Sequence, residues 1–184
     1  FFGPHVGVMF GRRELLENLG PYKLRPAPDD LPGRWMTGTQ NHEGIMGAMA
    51  AVDYLAGLSP NIANRRKALC QSMAAIEAYE NELMAHLLDA LYTLPSYKFY
   101  GITDSGRLAE RVPTLSFTHT RLRPQELAQR LDEAGIFAWH GNYYAQPVTE
   151  ALGLEPDGAV RIGLLHYNTR EEVGRLAGVL QELA

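Results

Sequence analysis

Apolar positions change their spacing several times along this chain, and each change marks an element. Val6 to Phe10 is a short, mostly apolar run that predicts a buried strand, followed by a short helix over Arg12–Leu19. No strand partner for Val6–Phe10 is evident downstream, which suggests a fragment of a longer protein. Residues 20–38 are rich in Pro and Gly and include Asp29 and Asp30, the composition of an extended surface loop. Ile45, Met49, Val52 and Leu55 then recur at helical spacing among Gly and Ala, so a helix is expected from Asn41 to Leu58. Its small side chains suit close packing against another backbone.

After a break at Leu58–Asn64, the longest periodic segment runs over about residues 62–94. Leu69, Met73, Ile76, Leu83, Leu87 and Leu91 make one apolar face, and Arg65, Arg66, Lys67, Glu77, Glu80 and Glu82 make a charged one. That is a core stripe with a solvated back. Beyond it the pattern shortens. Strands are predicted at Tyr97–Ile102, Thr114–His119, Ile136–His140 and Val160–Tyr167, with helices at Pro124–Ala134 and Thr169–Leu183. Pro124 suits a first helical turn and Gly135 a C-cap. Either Asn168 or Thr169 can cap the last helix, whose Glu171 and Glu172 suit a positive N-terminal end. The fold class is α/β, with a compact α+β unit at the C-terminus.

Composition narrows the partners. The chain has 184 residues and a formal net charge of −4, against nucleic acid or an anionic membrane as the main partner. Its apolar runs are broken well short of the ~20 residues of a membrane span. No basic segment followed by an apolar run opens the sequence, and the single cysteine, Cys70, excludes an internal disulfide or a cysteine-rich zinc site. A reducing cytoplasm is the expected compartment.

Two places carry candidate chemistry. In A-V-R-I-G-L-L-H-Y-N-T-R-E-E-V, Arg161 stands near the start of a strand that leads into a helix. A guanidinium held there can grip a carboxylate through two parallel hydrogen bonds; the alternative is a solvated surface ion pair. Gly38-Thr39-Gln40-Asn41 precedes the small-residue helix. Such a turn offers backbone N–H groups, a hydroxyl and a positive helix end to a phosphate, or simply an N-cap from Thr39 or Asn41. His42 and His140 are candidates for a site entrance or for structural roles, and His5, His86, His119 and His166 lack metal-ligand spacing. Tyr143 and Tyr144 are candidates for shaping a substrate pocket, with packing as the alternative.

Three segments, in order, resemble one family. G-R-W-M-T-G-T-Q-N-H-E-G-I-M-G-A-M-A-A-V-D-Y-L resembles the Gly-Thr segment of the class V aminotransferases and cysteine desulfurases, fold-type I enzymes that use pyridoxal 5′-phosphate. F-F-G-P-H-V-G-V-M-F resembles the segment after the cofactor-bearing lysine in that family, and V-R-I-G-L-L-H-Y-N-T-R-E-E-V-G-R-L resembles its substrate-arginine strand and last helix. The resemblance implies the C-terminal portion of such an enzyme. Residues 1–61 would end the large cofactor domain, 62–95 would form the linking helix, and 96–184 would form the small α+β domain. Arg161 would bind the α-carboxylate of a small amino-acid substrate, with Tyr144 and His140 beside it. Gly38 and Thr39 would reach the cofactor phosphate in the partner's active site, which requires a homodimer. The lysine itself is expected just before Phe1, so this chain alone should be inactive.

One departure from the family bears on the reaction. Where a desulfurase carries its nucleophilic Cys, before an Ala-x-Pro step, this chain reads H-G-N-Y-Y-A-Q-P, with Tyr144 at that position. Trp139 stands where an Arg often begins this strand. A phenol cannot replace the soft thiolate that a persulfide needs, and Cys70 falls inside the long helix. Elimination, epimerisation and transamination stay open. So do an authentic cysteine desulfurase or selenocysteine lyase using another thiol, and a catalytically silent interaction module.

Overall fold

The computed structural model describes residues 2–36 and 38–184. Phe1 and Thr37, which fall in the quoted opening and Gly-Thr motifs, lie outside the described residues. The chain divides into two compact units, Phe1–Met73 and Ala74–Ala184, and the division falls within the long helix. Among the described residues, no helix is long and apolar enough to cross a membrane.

In the first unit, α1 spans Arg13–Asn18, a short 3-10 turn spans Gly33–Trp35, and α2 spans His42–Gly57. Asn41 caps α2 by accepting the Gly44 N–H at 2.9 Å. The loop between α1 and α2 is tied to α1 by side chains. Trp35 donates its indole N–H to the Leu16 carbonyl at 3.0 Å, and Arg34 donates to the Glu17 and Leu19 carbonyls. The expected strand at Val6–Phe10 does not form: Val8, Met9 and Phe10 are 84%, 72% and 89% exposed and carry no ladder. A strand needs a neighbour to satisfy its N–H and C=O groups, and the described residues supply none.

The long helix α3 spans Arg65–Leu91 and opens with Asn64, whose side chain accepts the Lys67 N–H. From Ala74 onward it belongs to the second unit. There Leu83, Met84, Leu87 and Leu91 are fully buried, as an i, i+4, i+8 stripe requires. Glu80 lies on this stripe, three residues before Leu83 and seven before Leu87. It is therefore buried, at 9% exposed, and not on the solvated face where composition alone puts it. Its carboxylate accepts the His166 backbone N–H, yet burial dominates and raises its pKa above the usual 4.5.

That shift gives a signed prediction. A carboxyl whose folded pKa is raised holds its proton more tightly when folded than when unfolded. Its contribution is complete below pH 4.5 and is lost as pH rises through the raised value. Glu80→Gln should therefore flatten the stability profile above pH 4.5 and leave the protein at least as stable at neutral pH. Urea unfolding at several pH values checks this, and a variant that is less stable at neutral pH refutes it.

The sheet has four antiparallel strands in the order β1-β2-β4-β3: β1 is Tyr97–Tyr100, β2 Thr114–His119, β3 Trp139–Gly141 and β4 Ala159–Gly163. Helices α4 (Pro124–Glu133), α5 (Gln146–Ala151) and α6 (Arg170–Leu183) complete the unit. Alternation along the strands sends Leu115, Phe117, Val160 and Ile162 into a core with α3, α4 and α6. Thr169 caps α6 in a capping box with Glu172, while Asn168 accepts the Leu165 N–H and closes the preceding turn. Tyr97 donates its hydroxyl to the Leu180 carbonyl at 2.8 Å, and burial pushes its pKa up to about 12.

Candidate functional site

Arg161 is the third residue of β4 and pairs with Ser116 of β2 on one side and Trp139 of β3 on the other. Tyr100 of β1 pairs with Ser116, so Tyr100, Ser116, Arg161 and Trp139 form one row across all four strands. Directly opposed residues of an antiparallel sheet share a face, so this row lies on the face away from the core. Neighbouring core positions form the complementary row of Phe99, Phe117, Val160 and His140. Register thus takes His140 out of the Arg161 row, although its ring lies 6.4 Å from that of Trp139.

Arg161 lines a cleft of about 730 Å³ with Phe137, Trp139, Thr114, Glu172 and Arg175. Its guanidinium carbon lies 3.9 Å from the centre of the Tyr143 ring. None of the ion pairs among the described residues involves Arg161. An exposed guanidinium held over a ring, with no ion-pair partner among the described residues, is suited to receiving a carboxylate.

The segment after β3 has unusual backbone geometry. Tyr143 and Tyr144 are both left-handed, with φ of 55° and 61°. Each costs about 1–3 kcal/mol for a residue with a Cβ, so the surroundings must hold them. Asn142 does much of this: its side-chain carbonyl accepts the Tyr144 N–H, its amide donates to Glu155, and its backbone carbonyl accepts the Ala145 N–H. Glu155 also accepts the hydroxyl of the buried Thr149. Tyr143 donates its hydroxyl to the Trp139 carbonyl and lies 3.3 Å from that of Ala159. Burial raises its pKa, with Arg161 opposing. Tyr144 projects fully into solvent. Of the residues singled out in the sequence, Tyr143 and Arg161 meet directly; Tyr144 and His140 contribute no contact to that pair.

The seam between β3 and β4 depends on a glycine. Gly158 has φ +69°, and a Cβ there would come 2.1 Å from the carbonyl carbon of Gly141. Gly158→Ala should push β3 off β4 and cost about 3 kcal/mol or more, combining left-handed strain with a backbone clash. Chemical denaturation measures the loss; a variant within about 0.5 kcal/mol of wild type contradicts this account.

Sequence reasoning missed Arg111. It donates to the Thr114 carbonyl at 2.6 Å, to that of Val112 at 3.2 Å and to that of Ile102, which fixes the start of β2 where Thr114 enters the cleft. Burial lowers its pKa. The only sequence signal was a lone Arg just before a Val-Pro step and a strand.

In the first unit, Gly38 takes φ +65° with open space around it, and Gly38 and Thr39 are both exposed. Asn41 serves as the cap of α2, so the Thr39 hydroxyl is not needed there. A left-handed glycine, an exposed hydroxyl and a 16-residue helix beginning at His42 are chemically suited to a phosphate. Cys70 is exposed on α3, and the described residues contain no cluster of metal-ligating side chains.

Comparison with known proteins gives a consistent picture. A cysteine desulfurase of Pectobacterium carotovorum subsp. carotovorum (strain PC1) is 31% identical over 99% of this chain, which covers 43% of that protein. The apo structure of a cysteine desulfurase from Thermococcus onnurineus NA1 is 29% identical, with a TM-score of 0.67, over 83% of this chain and 33% of that one. The cysteine desulfurase CsdA from Escherichia coli, 24% identical with a TM-score of 0.72 over 98% of this chain and 43% of its own, shares the fold. The chain therefore spans less than half the length of these relatives. The family model for aminotransferase class-V matches residues 1–176, and the chain belongs to that family.

Proposed function

We propose that this chain is the C-terminal part of a pyridoxal-phosphate enzyme that acts on a small amino acid, working as a homodimer with shared sites. The carrying observation is Arg161: a guanidinium fixed against a ring, at the edge of a cleft, with no ion-pair partner among the described residues. Arg161 holds the α-carboxylate and so orients the substrate. Gly38 and Thr39 hold the phosphate of the cofactor bound to the second subunit. The exposed apolar side chains of Ile45, Met46 and Met49 on α2 suit a subunit interface. Pyridoxal phosphate, when bound, supplies the electron sink that weakens bonds at the substrate's Cα or Cβ.

The test is to purify the full-length polypeptide with pyridoxal phosphate and look for a visible absorption band that responds to L-amino acids. A band that shifts with a small amino acid supports the proposal. The absence of cofactor binding in a folded full-length protein defeats it.

A second reading, an authentic cysteine desulfurase, is favoured by the names of the relatives. Against it stands Tyr144, a solvent-exposed phenol where the sequence resemblance expects the nucleophilic thiol. Incubation with L-cysteine should leave no protein-bound persulfide. A persulfide on Cys70 reverses the ranking of the two readings.

A further inference from the structure

We propose that Tyr143 is a positioning residue that sets the Arg161 guanidinium for the substrate carboxylate; this rests on the reading of Arg161 as the carboxylate anchor. The geometry explains why a ring does this better than an acid. A carboxylate partner would use the same in-plane N–H donors that the substrate needs. A ring whose centre lies 3.9 Å from the guanidinium carbon gives that group a surface to rest on and no carboxylate acceptor to compete for its N–H donors.

The ring is itself fixed. Its hydroxyl is anchored to the Trp139 carbonyl, beside that of Ala159, where β3 meets β4. Its backbone is held in the left-handed region, as is that of Tyr144, by the bonds of Asn142. Trp139 is the cross-strand neighbour of Arg161, so the hydroxyl is anchored beside the residue that its ring supports. The loop after β3 thus holds a ring against the arginine.

The experiment uses the full-length polypeptide carrying this chain, loaded with pyridoxal phosphate, in wild-type, Tyr143→Leu, Tyr143→Phe and Arg161→Ala forms. L-alanine and ethylamine, which differ by the carboxylate, are titrated calorimetrically. In parallel, the Arg161 Nε–H resonance is recorded on arginine-labelled protein. A guanidinium over a ring gives a shielded resonance. Tyr143→Leu should weaken L-alanine about fivefold, leave ethylamine unchanged and remove the shielding, whereas Tyr143→Phe should keep the shielding and stay within about twofold. Equal L-alanine binding by Tyr143→Leu and wild type overturns the proposal, as does an equal loss for ethylamine. If Tyr143→Leu does not fold, the wild-type resonance decides, and an unshielded signal overturns it. If Arg161→Ala keeps full L-alanine affinity, the functional reading falls; if it loses affinity while Tyr143→Leu does not, the positioning role alone falls.

Discussion

Arg161→Ala in the full-length polypeptide should, under the proposed function, weaken amino-acid binding roughly 30- to 150-fold, about 2–3 kcal/mol. The figure sits at the lower part of the range for truncating a charged partner, because Arg161 is exposed before the ligand arrives. Arg161→Lys should recover only part of the loss. An ammonium keeps the charge but neither the two parallel donors nor the flat surface that rests on Tyr143. The loss should appear in kcat/KM for the amino acid and be absent for the corresponding amine. An Arg161→Ala enzyme with unchanged kcat/KM would remove the foundation of the proposed function.

The largest expected effect on stability comes from Phe117→Ala, about 3–5 kcal/mol. Phe117 is fully buried at the centre of the sheet, between Phe99 and Val160 in register. Its ring lies edge-on to Tyr97 at 5.8 Å and 5.9 Å from Phe99. Removing it opens a cavity that β-strands cannot close by shifting without breaking their ladder. Ser116→Ala, one residue earlier on the opposite face, should be close to neutral. Urea unfolding of the two variants side by side checks the contrast. Similar costs at the two positions would mean that the assigned faces of β2 are wrong.

Both effects trace back to period-two alternation, which is open to view in the sequence. Thr114–His119 reads as a strand at the bounds observed, and Pro124, Gly135 and Thr169 mark helix ends by their own chemistry. The long helix is legible from its apolar spacing, although only Leu83, Leu87 and Leu91 of the expected face are fully buried and Met73 is 42% exposed. Reading fails where the information is not local. Val6–Phe10 has strand composition but no partner among the described residues. Charge alone assigns Glu80 to the solvated back, although its spacing to Leu83 and Leu87 places it on the buried stripe. Helix α5, a single turn and a half at Gln146–Ala151, is too short to give a period.

The candidate site divides the same way. Arg161, the Gly38-Thr39 turn and a Tyr144 where the resemblance expects a thiol are all readable from residue types and their order, and membership of the family follows from that order. Strand register then decided which residues meet. It put Trp139 and Ser116 beside Arg161, paired His140 with Val160 instead, and left to a left-handed turn the placing of the Tyr143 ring against the guanidinium. Residue chemistry is carried by each side chain alone, whereas proximity across strands depends on hydrogen-bond pairing between segments distant in sequence. No local pattern encodes that pairing.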